Sequence, residues 1–321
     1  MTVVEAVRTR LDAERWHWQH GPIDIVAQAD GEPDAVHAAH EAAWERFQTV
    51  LTELVSELSL LRLPVGVNDA TGFLRGPVAR RMWDACAPFA PSYITPMAAV
   101  AGSVAQEFIT CYHRQGIRRA WLNNGGDIAL HLIPGQRLRS GVVGNVDCCE
   151  SSSELRHLLD GAFDISYEDP VRGVATSGWR GRSLSLGIAD SVTVLAENAS
   201  QADAAATMIA NAVNIQHPCV RRAPASAVRD DSDLGDQWVT VDVGLLPIAA
   251  QQQALQPAIV LARQLQARGL VWAAYLVCQN ATQLVQPLAA AETTRSPLAG
   301  EGRLMPSRFI KHQHQLLSFQ T

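Results

Sequence analysis

Apolar and polar positions alternate along residues 14–29 on either side of Gly21-Pro22, with Ile23, Ile25 and Ala27 on one side and Asp24 and Gln28 between them. That pattern predicts a β-hairpin. From Pro33 the period changes: Ala35, Val36, Ala39, Ala43, Trp44, Phe47, Val50, Leu51, Leu54 and Leu58 recur every three or four positions, the mark of an amphipathic helix opened by Pro33 and Asp34. His37 and His40 lie on it at a metal-ligand spacing, but with no third ligand nearby an exposed pair is expected. Residues 63–73, with Pro64, Gly66, Asn68, Asp69 and Gly72, read as a loop. Gly76-Pro77 opens a helix to about Cys86, and Pro88 and Pro91 end it. An alanine- and glycine-rich helix then runs from Pro96 to about Arg114, its small side chains suited to close packing of backbones.

Strands at 119–124 and 127–133, a turn at Pro134-Gly135 and a strand at 136–143 predict an antiparallel meander. Residues 146–160 are polar and ambiguous, 163–167 suit a short strand, and Val174–Trp179 ends in a small polar loop. The run 183–196 is the strongest strand signal in the chain, and Ser200 is expected to cap a helix over 201–214. Residues 217–237, with Pro218, Pro224 and acids from Asp230 to Asp236, read as a surface loop or a mobile excursion. A strand at 238–244, a helix over 248–268 and a strand at 270–279 complete the ordered part.

Composition narrows the function classes. The 321 residues are 47% apolar, ample for a core, and a formal charge of -6 without a basic run argues against nucleic acid or an anionic membrane as partner. Lys311 is the one lysine; every other basic side chain is Arg, which suits phosphate and carboxylate recognition. The six cysteines form no Cys-x-x-Cys, so neither a disulfide framework nor a zinc site is expected. Glu5, Arg8, Arg10, Asp12 and Glu14 interrupt the first residues, no stretch is long and apolar enough to span a bilayer, and a cytoplasmic location is expected. Asn198-Ala-Ser200 and Asn280-Ala-Thr282 match a glycosylation pattern that has no use there.

The stretch Trp121-Leu-Asn-Asn-Gly-Gly-Asp-Ile128 sets a strand end, two amides, two glycines and a carboxylate side by side. Paired glycines let a backbone approach a ligand, and Asn123, Asn124 and Asp127 offer donors and acceptors; a plain hairpin turn accounts for the same residues equally well. Two more polar motifs follow, Ala175-Thr-Ser-Gly178 and Ala202-Asp-Ala-Ala-Ala-Thr207. Asp203 and Thr207, one helical turn apart, face the same way near a helix start, a workable pair for a hard cation, although a helix-start carboxylate is also favoured by the helix dipole. The three polar loops are expected to converge on one pocket.

In order and spacing these motifs resemble the ApbE-like superfamily, the FAD:protein FMN transferases, with their Asn-x-Gly-Gly-Asp/Glu loop, Thr-Ser-Gly loop and Ala-Asp-Ala-x-Ala-Thr helix. The resemblance runs over roughly 76–214. It implies an α+β fold with antiparallel or mixed sheets packed against helices, over a single domain at 1–290 that can divide into two subdomains, and leaves 291–321 as an irregular tail. It implies FAD or FMN as substrate or ligand, Mg2+ at Asp203 and Thr207 with a backbone carbonyl of the small helix, catalytic roles for Asp127, Thr176 and Ser177, and flavin-nucleotide contacts from Asn123, Asn124, Gly125, Gly126, Gly178 and Arg180. The reaction implied attaches FMN to a Thr or Ser of an acceptor protein and releases AMP, and a homodimer is the expected assembly.

The departures matter as much. A Lys usual in the small helix is replaced by Ala or Val near 100–101. Where the superfamily has a His-Ile-Ile-Asp-Pro type segment, Trp179-Arg-Gly-Arg-Ser-Leu-Ser-Leu follows Thr-Ser-Gly. The amino-terminal portion lacks the Met-Gly-Thr strand and Ser-Glu-Ile loop, so the chain is most similar to the short cytoplasmic branch of the superfamily. Two functions remain open: magnesium-dependent transfer or cleavage at a flavin pyrophosphate, with Arg180 and Arg182 replacing the Lys, or binding of another small heteroaromatic or carboxylate molecule in the same pocket. No segment matches the superfamily's acceptor pattern, so the chain is predicted not to flavinylate itself. Mass spectrometry after incubation with FAD and magnesium checks this, and FMN on one of its own peptides is the contrary result.

Overall fold

The computed structural model describes residues 5–12, 14–66, 72–142, 161–288 and 309–311. In chain order the elements are β1 (Val7–Arg10), β2 (Arg15–His20), β3 (Ile23–Gly31), α1 (Pro33–Ser56), α2 (Leu58–Leu61), α3 (Pro77–Cys86), α4 (Val100–Ile109), β4 (Ile117–Asn124), β5 (Asp127–Leu132) and β6 (Arg137–Val142). Then follow β7 (Gly161–Ser166), β8 (Gly173–Ser177), β9 (Ser191–Ala196), α5 (Ala199–Ala212), β10 (Val220–Pro224), α6 (Ala225–Val228), β11 (Trp238–Val243), α7 (Ile248–Ala267), β12 (Ala273–Cys278), β13 (Ala281–Val285) and β14 (Phe309–Lys311).

Nine strands form one sheet in the order β1-β2-β3-β4-β5-β8-β9-β12-β13, every pair antiparallel. One face carries the helices: Ile25, Ala27, Leu122, Val192, Val194 and Leu276 pack with Phe47, Phe108, Ala205 and Ala258 in the larger core. Alternation sends Leu130, Val174, Leu195 and Tyr275 to the other face, where they meet Phe163 and Ile165 of β7. Strands covered on both sides lose the apolar-polar alternation, which is why all six residues of β9 are buried. The α+β class expected from the resemblance is the class observed.

Several local expectations give way to tertiary contacts. The expected meander stops at β5: β6 leaves the large sheet and pairs with β7 in a sheet ordered β14-β7-β6, and β8 takes its place beside β5. Of the run 183–196 only 191–196 is strand, because the preceding residues bond to the end of α5, Ile188 N–H to the Val213 carbonyl at 2.8 Å and Leu186 N–H to Asn211 Oδ1 at 3.0 Å. The cap of α5 is Asn198, whose Oδ1 accepts from Gln201 N–H at 2.9 Å, while the expected cap, Ser200, is buried. Residues 217–237 hold β10, α6 and the turn into β11 rather than an excursion. Residues 146–160, Asn68, Asp69 and the tail apart from β14 lie outside the described residues.

His40 is not half of an exposed pair. It is buried on the inner face of α1 with Nδ1 2.7 Å from the Tyr112 hydroxyl and its ring against Trp18 and Tyr112, and burial holds its pKa down at about 4. Because the folded value lies below the usual 6.5, its contribution to stability is present above pH 6.5 and is lost as the pH falls from there toward 4. His40→Gln is predicted to reduce the slope of unfolding free energy in that window by about 1.4 kcal/mol per pH unit, one proton's worth. Urea unfolding at a series of pH values checks it, and an unaltered slope assigns the acid sensitivity to other groups.

Candidate functional site

The turn between β4 and β5 is a two-residue hairpin in which Asn124 pairs with Asp127, and Gly125 and Gly126 take φ of 64° and 115°. Such left-handed values favour glycine, so both glycines have a conformational reason to be there. Asn123 Oδ1 accepts from Gly126 N–H at 2.8 Å and closes the turn. Asn124 is buried; it donates to the Ala101 carbonyl at 3.0 Å and accepts from Asp24 N–H at 3.3 Å, tying the turn to α4 and to β3.

Asp127 points inward. Since β8 lies beside β5, the Thr176 amide donates to Asp127 Oδ1 at 3.1 Å, and the Thr176 hydroxyl lies 2.9 Å from that of Thr193. Asp203 reaches the same place from α5, its Oδ2 accepting from Gly102 N–H at 2.9 Å, and the two carboxyls share a hydrogen bond. Asp127 is 7% exposed and Asp203 9%. Burial pushes Asp127 up to about 7 and Asp203 well above the usual carboxylate range, with the neighbouring Asp127 charge adding to the second shift. Among the described residues no Arg, Lys or His pairs with either acid. Both acids thus lie in surroundings that favour their protonated forms.

Asn124, Asp127, Thr176 and Asp203, drawn from all three motifs, thus come together through hydrogen bonds, while the cavity beside Glu57 and Phe73 and that beside Arg263 and Leu288 are lined by none of them. Ser177 and Gly178 continue β8 beyond Thr176; an ideal Cβ on Gly178 would lie 2.2 Å from the Asp190 carbonyl, so the chain passes there only as glycine. Thr207 sits one turn along α5 from Asp203 and is half-buried. Arg180 turns toward Asp190, 3.3 Å from Nε to Oδ1, with its guanidinium 4.6 Å from the Trp179 ring centre.

Asp190 is a residue the motifs did not single out. It accepts from Trp179 Nε1 at 3.3 Å and from the Gln279 amide, pinning the loop after β8 to the turn between β12 and β13. Its signal is Ile188-Ala-Asp190, which matches the Ile-x-Asp of the segment expected directly after Thr-Ser-Gly but stands further along, inside a run that reads as uninterrupted strand. Gly187 lies three residues before Asp190. A side chain there is excluded, because an ideal Cβ would lie 2.0 Å from the Ala210 carbonyl.

An antiparallel sheet backed by helices, with a helix-borne acid set against a Gly-Gly-Asp hairpin, defines an α+β protein with a buried carboxylate pair at the ends of its central strands. The chain belongs to the ApbE-related family described as AbpE bacteria, whose model matches residues 8–284. It is similar to the UPF0280 protein of Methanopyrus kandleri, 36% identical over 225 residues that make up 68% of this chain and 83% of the relative. The UPF0280 protein of Methanothermobacter thermautotrophicus is 39% identical over 140 residues, 43% of this chain and 50% of the relative. That of Methanothrix thermoacetophila is 32% identical over 167 residues, 52% and 65% respectively. The chain thus spans between half and two thirds of the length of the last two. No described helix is long and apolar enough to cross a membrane.

Gly102 is where α4 and α5 touch: an ideal Cβ would lie 2.2 Å from the Ala199 carbonyl and 2.8 Å from Asp203 Cβ. Alanine favours a helix interior over glycine by about 1 kcal/mol, whereas overpacking against backbone costs about 1–3 kcal/mol. Since a carbonyl cannot rotate away as a side chain can, Gly102→Ala is predicted to destabilise by about 1–2 kcal/mol net. Chemical unfolding measures it, and equal or greater stability would show that the two helices separate freely.

Proposed function

We propose that this protein binds a flavin nucleotide, FAD or FMN, at the junction of the Asn123–Asp127 hairpin, the Thr176–Gly178 strand end and α5, with Mg2+ held at Asp203 and Thr207. The observation that carries the proposal is the Asp127–Asp203 pair, two buried carboxyls without a basic partner among the described residues. Buried charge is costly unless compensated, and an oxygen-rich site of this kind suits a hard cation. Family membership supports the same reading, since the matched region contains all three motifs.

Bound magnesium would neutralise a pyrophosphate and a departing phosphate. The chain's own residues do the positioning. The Gly102 amide orients the Asp203 carboxylate, the Thr176 amide orients Asp127, and the Asn124 bond to the Ala101 carbonyl holds the hairpin against α4. Transfer of FMN to a separate acceptor protein, or hydrolysis of the pyrophosphate, is the chemistry that such a site would serve.

A second reading, binding of another small heteroaromatic or carboxylate molecule without flavin transfer, is favoured by the absence of lysine near 100–101 and by Trp179-Arg-Gly-Arg-Ser-Leu-Ser-Leu standing where a His-containing segment is usual. Calorimetry with FAD, with and without magnesium, on wild type and Asp203→Ala separates the two. Magnesium-dependent FAD binding that Asp203→Ala abolishes while the circular dichroism stays native is the expected result. Magnesium-independent FAD affinity, equal in both proteins, would sink the cation assignment; absence of FAD binding in wild type transfers the site to the second reading.

A further inference from the structure

Two arginines stand on the loop between β8 and β9 and a third reaches it from the end of α6, and they are not equivalent. Arg180 is committed to Asp190 and to the Trp179 ring. Arg182 extends over the hairpin, its Nη2 3.3 Å from where a side chain on Gly125 would begin, and has no acidic partner among the described residues. Arg229, at the end of α6, reaches across and donates from Nη2 to the Arg182 carbonyl at 3.0 Å. The exposed Arg182 guanidinium therefore stands beside a turn whose glycine leaves it unobstructed, and Arg229 braces the backbone that carries it.

From this arrangement we infer that Arg182, assisted by Arg229, is the anion-binding element of the site and takes the phosphate or pyrophosphate of a nucleotide ligand, whereas Arg180 is a positioning residue for the loop. The inference rests on the nucleotide reading above for the identity of the ligand. It rests on the placement of the two arginines for the anion itself. A guanidinium offers paired N–H donors that match phosphate oxygens. The Arg229 bond fixes the loop backbone at Arg182, so less freedom is lost when the side chain closes on an anion.

The test uses the full chain and two probes, inorganic pyrophosphate and FAD, with riboflavin as the ligand lacking phosphate. Arg182→Gln is expected to weaken pyrophosphate and FAD binding by about tenfold or more, the usual consequence of losing a charge-assisted hydrogen bond, and to leave riboflavin affinity unchanged. Arg229→Gln is expected to act in the same direction by a smaller factor. Arg180→Gln, the control, is expected to alter affinity for all flavin ligands alike or not at all. Wild-type pyrophosphate affinity in Arg182→Gln, or no pyrophosphate binding by the wild type, overturns the inference. Loss of pyrophosphate binding in Arg182→Gln from a protein that binds no FAD upholds the anion site and overturns only the flavin identity, so the two failures are told apart.

Discussion

The contact between α4 and α5 is the constraint on which the site depends. The helices meet so closely at Gly102 and Ala199 that no side chain fits between them, and at that point the Gly102 amide bonds to the Asp203 carboxylate. Two bonds depend on how these helices sit: the Gly102 amide to the Asp203 carboxylate, and Asn124 to the Ala101 carbonyl, which anchors the hairpin to the helical layer. The glycine of α4 and the many alanines of α5 are thus a geometric requirement, since interiors pack densely and two backbones approach only where side chains are small.

Around that contact the sheet supplies register. The antiparallel pairing of β5 with β8 sets the Thr176 amide against Asp127, and the pairing of β8 with β9 sets Thr176 against Thr193. Loops that reach the site are held by specific acids. Asp190 fastens the loop after β8 to the β12–β13 turn. Asp233 fastens the segment after α6 to the other wall, where its carboxylate accepts from the Thr95 hydroxyl and its carbonyl from Tyr93 at 2.8 Å. The region therefore has walls from distant parts of the chain, each tied by hydrogen bonds rather than by apolar packing alone.

Electrostatically the site separates its charges. The acids are buried behind the hairpin, whereas Arg182 and Arg229 lie exposed on its outer side. An arrangement with a cation-seeking interior and an anion-seeking rim suits a ligand that brings a metal and phosphates together. Burial raises the pKa of both acids, so in the folded protein their protonated forms are favoured.

Much of this was legible in the residues themselves. Period-two and period-three-to-four patterns located the β2–β3 hairpin, α1, α3, β4, β5, β11 and α7, because these elements present one apolar face to a core and one polar face to water. The three motifs announced the hairpin, the β8 end and α5, because glycine turns and helix starts are local chemistry. What the residues left undecided depended on distant partners. Ser183–Asp190 looks like strand, yet its backbone is satisfied by the end of α5; Ser200 looks like a cap, yet Asn198 reaches the free amide; His40 looks exposed, yet Trp18 and Tyr112 close over it. The departure of β6 from the meander, and with it the contact between Thr176 and Asp127, was likewise settled only in three dimensions. A strand's own sequence records which of its faces is apolar but not which neighbour it pairs with, and that choice belongs to the packing of the whole sheet.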